Sequence, residues 1–336
     1  MNISVFFLKS LRKLYSIYQQ KIRWTKIEIF KIKFDQYEDQ LFEGHVEMFD
    51  QEANDYCSKL LATGAPCMIS KFGTIELSAL IQYKSLQQSG FSFSEYIQYI
   101  KKKRPTLWWN EGVDALCSNA GFFPNDPKLL EQFFYINIAA MERIDVLGSY
   151  LESEDFFKEE LKQTRKINID GYYAPFYFKN PWTKVLKGKR VLVIHPFEKS
   201  IQRQYQRKEL IWQDKDLLPV FELITIKAEQ TILGQPCEYA NWFEALESMK
   251  KKMQVIDFDI ALIGAGAYGM PLAAYAKELG KQAVHLAGWT QVLFGIKGKR
   301  WIDMPSVEKY MNEYWVNPLP EEVPQNFKKV ENGCYW

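Results

Sequence analysis

Phe258-Asp259-Ile260-Ala261-Leu262-Ile263-Gly264-Ala265-Gly266-Ala267-Tyr268-Gly269-Met270-Pro271-Leu272-Ala273 decides the fold. An aliphatic strand runs straight into a glycine-rich turn, and the turn opens a helix. That order places bare backbone N–H groups and a helix N-terminus at the carboxyl edge of a sheet, where a phosphate or another anion is attracted. The glycines divide the work. Gly264 permits the tight turn, Gly266 lets a ligand approach the backbone, and Gly269 lets the helix pack close to the strand. The plainer alternative is a turn that only packs a helix on a sheet.

Outward from this segment, the second half of the chain alternates strand and helix. Lys187-Gly188-Lys189 is a turn leading into the apolar strand Arg190-Val191-Leu192-Val193-Ile194-His195, which Pro196 ends. A polar helix runs from about 199 to 212, a strand from 221 to 226 and a helix from 242 to 252. In the first half, 46–63 reads as helix and 66–70 as a short buried strand. A helix follows to about 83, then a largely helical stretch over 93–141. Strand-like runs close this half at 144–147 and 166–169. Short connections between alternating strands and helices predict an α/β fold, a doubly wound, mostly parallel, Rossmann-like sheet. Ligands of such sheets sit beyond the carboxyl ends of the strands.

The 336 residues are 47% hydrophobic and 25% charged, with a net charge of +2, which is ordinary globular composition. Five scattered cysteines and three distant histidines have neither Cys-x-x-Cys nor zinc spacing, and fit a reducing cytoplasm. Residues 1–33 carry eight Lys/Arg and one acid, Glu28, interleaved with apolar residues such as Phe6, Phe7, Leu8, Leu11 and Leu14. The opening apolar run is too short to span a bilayer, and no small-residue signal-peptide cleavage site follows it. The segment reads either as a basic amphipathic helix on anionic lipid or as a helical arm with a solvated basic face. The expected organisation is therefore an arm over 1–45 and an α/β domain over 46–336, helix-rich to 185 and Rossmann-like from 186.

Several residues can carry chemistry. Glu76 lies just after the first strand, beside Gly73. It is a metal ligand or base, or an acid that complements the helix dipole. His195 ends its strand at the ligand edge, as a base, a phosphate contact or a structural histidine. His285 holds the equivalent place on the strand after the glycine turn. That strand carries no acid for a ribose and no arginine for a 2′-phosphate, which weakens a dinucleotide reading. Lys297, Lys299 and Arg300 sit among glycines in a basic loop, suited to a departing diphosphate. Two Asp-x-Asp pairs, 214/216 and 257/259, are discounted. The first is in a loop and the second is at the wrong end of its strand.

Lys71-Phe72-Gly73-Thr74-Ile75-Glu76 resembles the Arg-Phe-Gly-Asp-Gly-Glu signature of GT-D-type glycosyltransferases, bacterial enzymes of surface-glycan and glycoprotein assembly. The resemblance extends through Asn119-Ala120-Gly121-Phe122-Phe123-Pro124, His195-Pro196-Phe197, Ile263–Gly269 and Gly295–Trp301 to Gly333-Cys334-Tyr335-Trp336. It covers roughly residues 55–336. It implies a Rossmann-like fold, a nucleotide-sugar donor and Mn²⁺ or Mg²⁺ on an Asp-x-Glu pair. Here that pair is Thr74-Ile75-Glu76, and Lys71 replaces the family arginine, so only Glu76 carries over as a carboxylate. A metal-independent enzyme using Lys297, Lys299 or Arg300 is the alternative. The donor is expected at Lys71, Gly73 and Thr74, at Gly264, Gly266, Tyr268 and Gly269, and at His285 and the basic loop; Glu76 and His195 are the expected catalytic groups. The expected acceptor is a glycan or a lipid-linked precursor of capsule, lipopolysaccharide or exopolysaccharide, not nucleic acid. The expected location is the cytoplasm, at the inner membrane surface through residues 1–33. Two rivals remain: an NAD(P)-dependent oxidoreductase or epimerase, and a non-catalytic nucleotide-binding subunit of a glycan-assembly complex.

Overall fold

A computed structural model describes residues 5–28, 46–87, 91–104, 107, 109–330 and 333–336. The outer parts of the expected arm, 1–4 and 29–45, lie outside the described residues. The fold is α/β, with seven strands in one entirely parallel, Rossmann-like sheet among the described residues. The strands are β1 (Cys67–Ser70), β2 (Val146–Ser149), β3 (Arg165–Asn168), β4 (Arg190–His195), β5 (Glu222–Lys227), β6 (Ile260–Ile263) and β7 (Gln282–His285). Every run read as a strand in the sequence is one, within about two residues. Five of the seven are buried along nearly their whole length, as parallel strands covered on both faces must be.

The order is β3-β2-β1-β7-β6-β4-β5. The two halves therefore share one sheet, joined where Met68 of β1 faces Ala283 of β7. One face is covered by α3 (Thr74–Leu86), α5 (Trp109–Ala120), α6 (Leu130–Met141), α8 (Trp242–Val255) and α9 (Gly269–Glu278). The other is covered by α2 (Asp50–Ala62), α7 (Glu198–Tyr205) and the aromatic loops around Trp182, Trp212 and Trp301. Alternation along single strands explains this division. Val191 and Val193 enter one core, Leu192 and Ile194 the other.

The connections after β1 and β6 pass to the first face, and those after β7 and β4 to the second. Neighbouring strands thus send their loops apart, which opens a crevice above their carboxyl ends.

The arm forms α1 (Val5–Glu28). Leu8 is buried with Tyr99 and Leu107, and the Arg12 guanidinium donates to the carbonyls of Tyr99 and Arg104 at 3.0 and 2.9 Å. Helix α4 (Phe93–Ile100), held by a Ser92/Glu95 capping box, receives this contact. No helix among the described residues is long and apolar enough to cross a membrane.

Candidate functional site

A cavity of about 360 Å³ occupies the crevice. It reaches from Tyr150, after β2, to Glu229, Gln230 and Thr231, after β5. Between these ends lie Lys71–Glu76, His285–Gly288, Gly264–Gly266 and His195–Phe197. Segments read separately in the sequence therefore meet in one place. Lys71, Gly73, Thr74, Glu76, His195, Gly264, Gly266, His285 and Arg300 all line it.

Helix α3 begins at the cavity with Gly73 as its N-cap, and Glu76 falls in its first turn. The carboxylate folds back over Gly73, where an added Cβ would lie 1.9 Å from Oε2. A side chain at position 73 would displace it. Lys71 Nζ donates to the Phe72 carbonyl at 3.0 Å and stands 5.1 Å from the centre of the Tyr150 ring. The Tyr150 hydroxyl donates to the same carbonyl at 2.8 Å. Desolvation pulls Lys71 down to about 8, opposed by Glu76 and assisted by Arg300. Desolvation also raises Tyr150, with Glu76 acting in the same direction. Lys71, Tyr150 and Glu76 thus stand at one end of the cavity, and Glu76 and Arg300 both act electrostatically on Lys71 and Tyr150.

His195 and His285 are buried and neutral. His195 Nδ1 accepts the Phe197 backbone N–H at 2.9 Å, which puts the ring proton on Nε2. Burial lowers its pKa to about 3. This tautomer presents a hydrogen-bond donor, not a cation or a base. His285 Nδ1 lies 3.1 Å from Ser70 Oγ, and its Nε2 has no hydrogen-bond partner among the described residues. Burial, then the nearby Lys71, lowers its pKa to about 3.

The glycine turn is confirmed as strand, turn and helix, but its glycines answer to the protein. A Cβ on Gly269 would lie 2.1 Å from His285 Nε2, so this residue does let α9 close on the sheet. At Gly266, φ is +51° and a Cβ would lie 2.8 Å from the Ala120 carbonyl. The end of α5 occupies the side a Cβ would take, and Gly266 lines the cavity.

Four expected donor contacts lie elsewhere. Tyr268 is in the core, stacked on Trp242 at 5.0 Å and 9°. Gly269 is outside the lining, packed against His285. Lys297 and Lys299 are outside the lining, and the Lys299 ammonium pairs with Asp303. The basic loop is not free. Lys297 N donates to Val316 O, and Arg300 N to Cys334 O, at 2.7 and 2.9 Å. Only Arg300 turns its cation to the cavity, 4.8 Å from the centre of the Tyr335 ring. Asp257 and Asp259 bind Arg190 at the amino end of β4, and that partner holds Asp259 down to about 2. Tyr150, Glu229, Gln230 and Gln291 belong to the lining and had no local signal. Tyr335 and Trp336 had one only in the aromatic close of the chain.

Among the described residues, no three His, Cys, Asp or Glu side chains come together to hold a metal ion. At the expected metal position, one carboxylate stands near Lys71 and Arg300, a poor donor set for Mg²⁺ or Mn²⁺. No protein-family model, curated protein or solved structure matches the chain.

Proposed function

We propose that this chain is a glycosyltransferase that moves a sugar from a nucleotide-sugar donor to a surface-polysaccharide precursor. One observation carries the reading. Lys71 and Glu76, from the motif that resembles GT-D enzymes, line the same cavity as the glycine turn and Arg300, from segments 200 residues further on. Lys71 and Arg300 at the carboxyl edge of a parallel sheet suit a diphosphate, and Glu76 suits a hydroxyl that must lose its proton.

In this mechanism the acceptor oxygen attacks the anomeric carbon and gives its proton to Glu76. The bond from that carbon to the diphosphate breaks, and the electron pair leaves with the diphosphate. Lys71 and Arg300 stabilise the negative charge that develops, in a site where low dielectric strengthens the effect. His195 Nε2–H donates to a donor oxygen. The absence of an acid at the end of β7 favours this reading over an NAD(P) enzyme.

The pH response tests the cationic site. Lys71 is charged below about 8 and neutral above it. Calorimetric affinity for inorganic pyrophosphate is expected to fall as the pH rises from 7 to 9. Lys71→Arg, which stays charged throughout, should hold it level. Folding stability moves the other way. Charged Lys71 is disfavoured in the folded protein, so stability is expected to rise as the pH increases from about 8 towards the unfolded value. Absence of pyrophosphate binding, or a level profile in the native protein, contradicts the assignment.

The arm gives the enzyme a place. Phe6, Leu14 and Ile17 are 80%, 61% and 52% exposed, and Phe7 and Tyr18 are exposed beside them. These residues fall on one face of α1, opposite Leu8 and Arg12, with exposed Lys13 and Lys21 alongside. Such a face suits peripheral binding to anionic lipid at the inner leaflet, near a lipid-linked acceptor. Leu14→Ser/Ile17→Ser is expected to weaken co-sedimentation with phosphatidylglycerol vesicles by about 10-fold or more, given the apolar area lost from the contact. The melting temperature should not change. Undiminished binding would remove the membrane role from this face.

A further inference from the structure

We infer that the donor's nucleoside lies over the ends of β4 and β5, with its base against Trp336 and Phe197 and its ribose at Glu229. This rests on the reading of the cavity as a nucleotide-sugar site.

The cavity is chemically polarised. Among the described residues, Lys71 and Arg300 are its only cationic lining residues; Lys71 stands at the end with Glu76 and Tyr150, and Arg300 stands against Tyr335, within electrostatic reach of both Lys71 and Tyr150. The far end is lined by Pro196, Phe197, Ile232 and Trp336, with Glu229 and Gln230. A diphosphate is drawn to the first end and repelled by Glu229 at the second. β1 and β4 are three strand spacings apart, about 14 Å. That separation gives room for a nucleoside joined to a diphosphate and a sugar. With the phosphates at Lys71 and Arg300 and the transferred sugar at Glu76, the remaining part of the donor has only the aromatic end to occupy.

That end is built to receive a flat ring. Trp336 packs edge-on to Phe197, Tyr335 and Phe327, with centroids 6.2, 5.7 and 5.7 Å away. The segment that carries it is pinned by backbone groups. Lys299 N donates to Trp336 O at 3.3 Å, and Gln291 Nε2 to Tyr335 O at 3.1 Å. The indole is half-buried, so part of it remains open to the cavity. A fixed, partly open aromatic group offers a stacking platform at little entropic cost. The side chains of Glu229 and Gln230 make no hydrogen bond or ion pair with another described residue. A carboxylate at this position accepts from ribose hydroxyls, and no acid stands at the end of β7 to take that task.

The test is calorimetric titration of ADP, GDP, UDP, CDP, TDP and inorganic pyrophosphate. The native protein should bind one nucleoside diphosphate at least about 10-fold more tightly than pyrophosphate, the scale of one base–aromatic stack. Trp336→Ala should remove that advantage and leave pyrophosphate affinity unchanged, whereas Trp336→Phe should retain most of it. Glu229→Gln alters no packing contact and should weaken the nucleoside diphosphate alone. It decides the matter if Trp336→Ala does not fold. If a folded Trp336→Ala and Glu229→Gln bind the nucleoside diphosphate as the native protein does, the nucleoside lies elsewhere and the aromatic end serves another ring. In that case the phosphate site survives. If the native protein binds neither probe, the nucleotide-sugar reading fails, and this inference with it.

Discussion

Glu76→Gln is expected to lower turnover by about 100-fold, the lower range for a positioned acid–base group, with little change in melting temperature. The side chain lines the cavity and lies back over Gly73 in the first turn of α3. Glutamine keeps its size and can still accept a hydrogen bond there. It cannot take a proton from an acceptor hydroxyl. Donor affinity should be nearly unchanged or slightly improved, since a negative charge is removed near the diphosphate. The predicted signature is a fall in kcat without a matching rise in the donor KM. Full activity would move the base elsewhere, and His195 would be a poor substitute because its Nδ1 is already occupied by the Phe197 N–H. Thr74→Asp tests the metal reading in reverse. If the site uses a metal, a second carboxylate beside Glu76 should tighten its Mn²⁺ dependence.

Gly264→Ala is expected to have the largest effect on folding, at least about 3 kcal/mol, the upper end of the cost of overpacking. A Cβ there would meet the Ala287 carbonyl at 2.4 Å, and His195 Cδ2 and Thr290 Oγ1 each at 2.7 Å. The three contacts come from three separate residues, and one of them is backbone. No side-chain rotation can relieve them together. A drop in melting temperature on the order of 5 °C should follow. Gly188→Ala is the comparison. Nothing lies within 4 Å of its added Cβ, so only the penalty of its positive φ remains, about 1 kcal/mol. Equal melting of the two variants would contradict the packing of the turn described here.

The strands were legible because a buried parallel strand leaves a local mark. Val191-Leu192-Val193-Ile194 can be read as a strand without knowing its neighbours, and the turn at 187–189 marks where it begins. The carboxyl-edge position of His195 and His285 follows from the same reading. Strand order is another matter. That β1 lies beside β7 is set by pairing across more than 200 residues, which no local pattern records. The cavity depends on that pairing, because it brings Lys71 and Glu76 next to the glycine turn. Tyr268 shows how spacing misleads. It stands in the turn motif, yet its ring is drawn into the core by Trp242, a residue with no sequence proximity to it. The basic loop misleads in a similar way. Its glycines suggested freedom, but the backbone of 334–336 and Val316 ties it down and selects one cation of three. Glu229 was missed as a site residue because nothing near it in the chain marks a ligand, and Trp336 because the aromatic close of the chain marked a resemblance without assigning a role.

The central claim is that the cavity holds a nucleotide-sugar and activates its anomeric carbon. The most direct measurement is release of nucleoside diphosphate from a panel of UDP-, GDP-, dTDP- and ADP-sugars incubated with the native protein, with Glu76→Gln in parallel. Slow hydrolysis of at least one donor by the native protein is predicted, at a rate about 100-fold lower in the variant. No release from any donor, together with a fluorescence change on titration with NADH or NADPH, would contradict the account and make the chain a dinucleotide-binding protein.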